Sequence, residues 1–187
     1  MARAVWGMAV VAWFVLSAEA AMAAAGLANG GFEHPDDPEN WESELAVHWG
    51  RWGQWINRET GWAPRHGGDC VLGYHHWRIE GTDSSGVFQD IPDLRAGKEY
   101  TFNVYVSKDD NTNLESIELR IEPHEGGDTL GSYMYGIRDV RKGKWRLLTV
   151  SGTSGGTGLR VLIIVTPKAR GERKGALKFD DAFLQCD

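Results

Sequence analysis

Three groups of residues in this chain have types and spacings that could do chemistry. The first is the closing stretch ALKFDDAFLQCD, where Asp180 and Asp181 stand side by side in a run that otherwise reads as a β-strand. Successive strand residues face opposite sides, so one of the two carboxylates must point into the protein. A buried carboxylate needs compensation, from a cation or from several hydrogen bonds, and either would serve here. The second group is titratable. Tyr74 and His76 lie two residues apart in GYHHWR, within reach of acid–base work, and Glu118 and Glu122 share one face of SIELRIEP. Paired carboxylates of that kind can cleave glycosidic bonds, although same-face glutamates are also what a solvated strand carries. The third group is aromatic. HWGRWGQW places Trp49, Trp52 and Trp55 within seven residues, and Trp52 must take the face opposite the other two.

Bulk properties narrow the field. The chain has 187 residues and a formal net charge of −6, a balance that argues against nucleic acid as a partner. Residues 1–24 combine Arg3, an apolar run from Ala4 to Leu16 and small-residue sites, and read as a cleaved secretory signal peptide. An uncleaved anchor is the alternative. No second apolar run follows, so the expectation is an exported product, extracellular or periplasmic, without a membrane span. Residues 25–187 are then one domain. Its charge is uneven: GIRDVRKGKWR and TPKARGERKG make the C-terminal third basic, either as ordinary solvated loops or as a rim that attracts acidic polymers. Cys70 and Cys186 would meet an oxidising compartment and are expected to form a disulfide. The six histidines are scattered, and His75 and His76 diverge on a strand and cannot chelate one metal together, which argues against a zinc site.

The elements that must position these residues are strands. CVLGYHHW, SGVFQDI, YTFNVYVS, SIELRIEP, GSYMYGI, WRLLTVSG, LRVLIIVT and ALKFDDAFLQC are short, β-rich runs, separated by turn clusters such as DSSG, RAGK and GTSGGTG. In YTFNVYV the apolar set Tyr100, Phe102, Val104 and Val106 shares one face; Thr101, Asn103 and Tyr105 share the other. The expected fold is all-β, an antiparallel β-sandwich of jelly-roll type, with one or two further strands in the less regular segment 41–68.

Four stretches in order, LANGGFE, RHGGDCVLGY, GVFQDIPDLRAGKEYTFNVYVS and KFDDAFL, together resemble the jelly-roll carbohydrate-binding modules of families 4, 9 and 22, with the galactose-binding-like fold. The resemblance covers about residues 28–187. It implies a structural Ca²⁺ with Glu33 and Asp180 as carboxylate ligands and carbonyls from Gly31, Gly68 and Asp69. Gly67 stands where that family usually has Ser. Ca²⁺ takes six to eight oxygen ligands from carboxylates and carbonyls, which suits these residue types, and a hydrogen-bonded carboxylate pair without metal is the alternative.

The resemblance also implies non-catalytic polysaccharide binding through an aromatic-lined groove, since indoles stack on the C–H faces of sugars. Groove candidates are Trp52, Trp55, Trp77 and Tyr105, with Asn103, Glu118 and Arg120 as polar partners; Trp41, Trp49 and Trp145 are assigned to the core. Two rivals stand beside it. One is a small jelly-roll polysaccharide lyase or glycosidase, using Tyr74 with His76, Tyr105 with a groove histidine, or Glu118 with Glu122. The other is an extracellular domain whose exposed aromatics meet a protein partner.

Overall fold

The computed structural model describes residues 26–61 and 64–187, so the expected signal peptide lies outside the described residues. Among the described residues, ten strands run β1 Gly50–Trp52, β2 Ile56–Thr60, β3 Cys70–His75, β4 Ser85–Pro92, β5 Glu99–Lys108, β6 Ser116–Pro123, β7 Gly131–Gly136, β8 Arg146–Thr153, β9 Gly158–Thr166 and β10 Ala176–Cys186. They form two antiparallel five-stranded sheets. The first has the order β1-β4-β9-β6-β7 and the second β2-β3-β10-β5-β8. Every strand-like run named above is a strand, and segment 41–68 supplies β1 and β2. No helix among the described residues is long and apolar enough to cross a membrane.

The sandwich closes because each strand presents one apolar row. Val87 and Ile91 of β4, Ile117, Leu119 and Ile121 of β6, and Leu159, Val161, Ile163 and Val165 of β9 face Tyr100, Phe102, Val104 and Val106 of β5 and Leu177, Phe179 and Leu184 of β10. Each fully buried Leu, Ile, Val or Phe contributes about 1.5–3 kcal/mol, so this row-on-row packing carries the fold. β9 departs from alternation. Its outward residues Leu162 and Ile164 are also buried, roofed by neighbours on the outer face of the first sheet.

The chain breaks two sequence expectations. β10 does not alternate through its acidic pair: Asp180 pairs with Tyr105 but Phe183 pairs with Asn103, which leaves Asp181 and Ala182 as a β-bulge. Asp181 takes a left-handed φ of +45° there. Phe179 and Leu184 face the core, whereas Asp180 lies with Tyr105 on the outer side of the second sheet, buried by an overlying loop.

The second correction concerns the cysteines, which are both free. β10 meets β3 from Ala176↔His75 to Phe179↔Leu72, while Cys186 pairs with Tyr100 of β5. Continuing that register puts Cys70 level with Asp181, five residues short of Cys186, or about 15 Å along the strand. A disulfide needs Cα atoms within about 7 Å. Burial, the largest influence, pushes the Cys70 thiol up to about 11, so it stays protonated; the Arg58 guanidinium reaches its Sγ at 3.0 Å.

Candidate functional site

The expected groove residues fall in three places. Trp52, Glu118 and Arg120 share the outer face of the first sheet. Trp52 lies over Gly86, where a Cβ would stand 2.3 Å from the indole, and tilts against Phe88. Further across the sheet, Arg120 donates to Glu118 at 2.8 and 2.9 Å and to Glu122 at 3.3 Å, and Ser132 donates to Glu118 at 2.7 Å. This network roofs Leu162 and Ile164. Burial alone would raise the Glu118 pKa, but the bonds from Arg120 and Ser132 outweigh it and hold the carboxyl below the usual range. A carboxylate held ionised between two donors makes a poor general acid, which weakens the glycosidase pair Glu118–Glu122.

Tyr105 and Asn103 lie on the opposite side, the outer face of the second sheet, where Asn103 is buried and Tyr105 half-buried. The His66 ring stacks on Tyr105 at 3.7 Å, and Asn103, 2% exposed, donates to the Thr101 carbonyl at 3.0 Å. The catalytic candidates Tyr74 and His76 are closed. Tyr74 and His76 approach at 3.4 Å with both residues fully buried. Burial, aided by Arg173 and Lys168, drops the His76 pKa to about 4, and burial pushes the Tyr74 hydroxyl far up. No substrate reaches that pair.

Trp55 and Trp77 make the third place, and it is open. β2 and β3 pair with Ile56 opposite Tyr74, and the His75 amide donates to the Trp55 carbonyl at 3.0 Å. That register sets the residue before β2 beside the 3-10 turn His76–Arg78 that follows β3. The Arg78 guanidinium then packs on both indoles, 4.3 Å from the Trp55 ring and 4.4 Å from the Trp77 ring. The indoles remain 38% and 54% exposed. His75 meets both rings edge-on and pairs with Glu59. Trp55 holds φ at +51°, a conformation that L side chains rarely adopt and that tends to persist at functional positions. Beside it opens a cleft of about 180 Å³ lined by Glu44, Arg51, Gly53, Trp55, Ile56 and Asn57. Of the three tryptophans assigned to the core, Trp49 is buried, Trp145 is half-buried and Trp41 is 48% exposed beneath the Arg58 guanidinium.

The five expected metal-site residues are gathered at one turn. Asp180 Oδ2 accepts the amides of His66 at 2.9 Å and Gly67 at 3.1 Å, and its Oδ1 accepts that of Asp181 at 2.8 Å. Glu33 accepts the amides of Asp69 at 3.0 Å and Cys70 at 3.2 Å. Glycine is required for this approach: a Cβ on Gly68 would stand 1.9 Å from Glu33 Oε1, and one on Gly67 2.8 Å from Asp181 Oδ2. Arg58, which the sequence reading did not single out, holds the other side by donating to the carbonyls of Phe32 and Glu33 at 2.9 Å each and of Trp41 at 2.6 Å. Burial raises Asp180 to about 6 against the pull of its three amides. Among the described residues no three His, Cys, Asp or Glu side chains form a metal-holding cluster, so a cation here would depend on backbone carbonyls. The donor chemistry fits Ca²⁺, being hard, anionic and oxygen-only, in a cradle that glycines keep open.

No protein-family model and no curated protein matches the sequence. Solved structures do match the fold. TmCBM61, a module solved in complex with β-1,4-galactotriose, superposes with a TM-score of 0.62 at 16% identity, over 87% of this chain and 99% of its own. The CBM22-1 xylan-binding domain of Paenibacillus barcinonensis Xyn10C does so with a TM-score of 0.53 at 16% identity, over 84% of this chain and 91% of its own. An arabinose-bound GH51 α-L-arabinofuranosidase also matches, with a TM-score of 0.62 at 11% identity, but this chain spans only 27% of that enzyme. The chain therefore has the β-sandwich fold found in carbohydrate-binding modules.

Proposed function

We propose that this protein is an exported, non-catalytic glycan-binding domain whose primary contact is the Trp55–Arg78–Trp77 platform. The observation that carries the reading is the pair of open indoles braced by one guanidinium. Exposed large aromatics are costly unless a partner covers them, and an indole face suits the C–H face of a pyranose. Arg78 keeps the rings in place, which lowers the ordering cost of binding. The adjoining cleft offers Glu44, Arg51 and Asn57 to sugar hydroxyls. The likeness to TmCBM61 and to the xylan-binding domain supports the glycan class, since both modules share this fold at nearly full length.

A Ca²⁺ ion would be held by Glu33 and Asp180 with the carbonyls of Gly31, Gly68 and Asp69, neutralising the acidic turn. Its role would be to tie the chain's two ends to loop 64–69, at a distance from the sugar. The test is a glycan array on the chain lacking residues 1–24, run with Ca²⁺ and with chelator. Binding to a galactan, xylan or β-glucan that survives in Asp180→Asn but is lost in Trp77→Ala establishes the platform. A blank array from folded, Ca²⁺-supplied protein overturns the reading in favour of a protein partner.

A further inference from the structure

The densest basic stretch of the chain lies elsewhere. From the end of β7 into the start of β8, the segment 138–146 carries five basic residues, Arg138, Arg141, Lys142, Lys144 and Arg146, against one acid, Asp139, in a chain of net charge −6. The structure folds part of it around an open cleft of about 340 Å³ lined by Asp139, Arg141, Lys144, Trp145 and Arg146. That volume lies within the usual range of small-ligand sites, about 300–1,000 Å³.

The charges in the cleft are not equally engaged. Asp139 receives the Gly136 amide at 3.0 Å and faces Arg146 at 3.7 Å, so these two largely cancel. Lys142 is turned to Asp110. Among the described residues, the side chains of Arg141 and Lys144 make neither an ion pair nor a hydrogen bond with protein. The cleft is also held in shape. The Lys108 ammonium donates to the Ile137 carbonyl at 2.9 Å, the Gly143 amide to the Lys108 carbonyl at 3.1 Å, and the Tyr135 hydroxyl to the Thr149 carbonyl at 2.7 Å. Two uncompensated cations and the half-buried indole of Trp145 line one cleft, which suits a ring that carries an anion.

Strand register relates this cleft to the platform. His75 pairs with Ala176, Leu177 with Lys108, and Val106 with Arg146. The platform and the cleft therefore lie at the same end of the second sheet, with β10 and β5 between their strands, about 14 Å apart at normal strand spacing. A single sugar cannot bridge that distance; an extended chain can.

We propose that the cleft formed by Arg141, Lys144 and Trp145 is a second subsite that takes the carboxylate of a uronate residue, so that the ligand is an acidic polysaccharide lying across this end of the sandwich. The proposal rests on the glycan reading of the Trp55–Arg78–Trp77 platform. The test measures affinity for polygalacturonate and for neutral β-1,4-galactan, in low salt and in about 0.3 M NaCl. It compares the parent chain with Arg141→Ala/Lys144→Ala and with a control, Arg95→Ala/Lys98→Ala, altered in the exposed β4–β5 loop. The parent is expected to prefer polygalacturonate in low salt, and the cleft variant to lose about tenfold in that preference, as expected for deleting contacts to a charged ligand. The salt dependence should shrink in step. An equal loss in the control, or a parent that binds galactan as well as polygalacturonate, overturns the second subsite and leaves the platform standing. Binding to neither polymer overturns the uronate subsite, and the platform itself falls only if xylan and β-glucan also fail to bind.

Discussion

The platform and the acidic turn solve opposite problems. At the platform, two indoles stay 38% and 54% exposed while a cation is held against them. At the turn, a carboxylate is removed from solvent altogether and satisfied by three backbone amides. Exposed aromatic surface gains from a partner that covers it, and the binding role we propose for the platform rests on that gain. The buried carboxylate has its partners already, so the turn is a clasp. It fastens loop 64–69 to β10 through Asp180 and to the N-terminal strap through Glu33.

That contrast can be broken at several points. The largest effect is expected at the clasp. Asp180→Ala leaves three amides without an acceptor and should cost about 3 kcal/mol in denaturant unfolding, whereas Asp180→Asn keeps an acceptor oxygen and most of the stability. An Ala variant as stable as the parent would sever the clasp from the fold. At the platform the expectation is reversed: Trp77→Ala should weaken glycan binding about tenfold or more, as loss of an aromatic anchor does, with an unchanged melting temperature.

A pH series sharpens the comparison further. Asp180 has its pKa raised, so the native state takes up a proton first, and between about 6 and its ordinary 3.8 stability from this group grows as pH falls. His76 has its pKa lowered to about 4, so the unfolded state takes up the proton first, and stability from this group is lost as pH falls from 6.5. The two oppose each other in one window. In chelator, Asp180→Asn should therefore lose stability more steeply than the parent between pH 6 and 4, measured by urea midpoints. Parallel curves would contradict a buried, amide-bound Asp180. The smallest expected effect is that of a reductant, which should leave the melting temperature unchanged because both cysteines are free.

The strands were legible because side-chain alternation is a local property. Tyr100 to Val106 of β5 and Ile117 to Ile121 of β6 face the core as their period demands. The bulge at Asp181–Ala182 was not legible, because an inserted residue changes the facing of everything beyond it and leaves composition untouched. It alone keeps both carboxylates out of the sandwich core, and the register of β10 separates the cysteines. The density of tryptophans marked a surface, but alternation could not say which indoles would meet. Trp55 and Trp77 are joined by the pairing of β2 with β3 and by Arg78, all of which depend on contacts between segments. Trp52, with no such brace, went to the other sheet.

The most direct test of the central claim is tryptophan fluorescence during titration with a bound glycan, comparing the parent with Trp55→Ala and Trp77→Ala. Seven tryptophans lie beyond residue 24, and two of them form the platform. The account predicts a saturable change in the parent that shrinks in each variant, with affinity falling in both. An undiminished change at unaltered affinity in both variants would place the sugar elsewhere and contradict the platform.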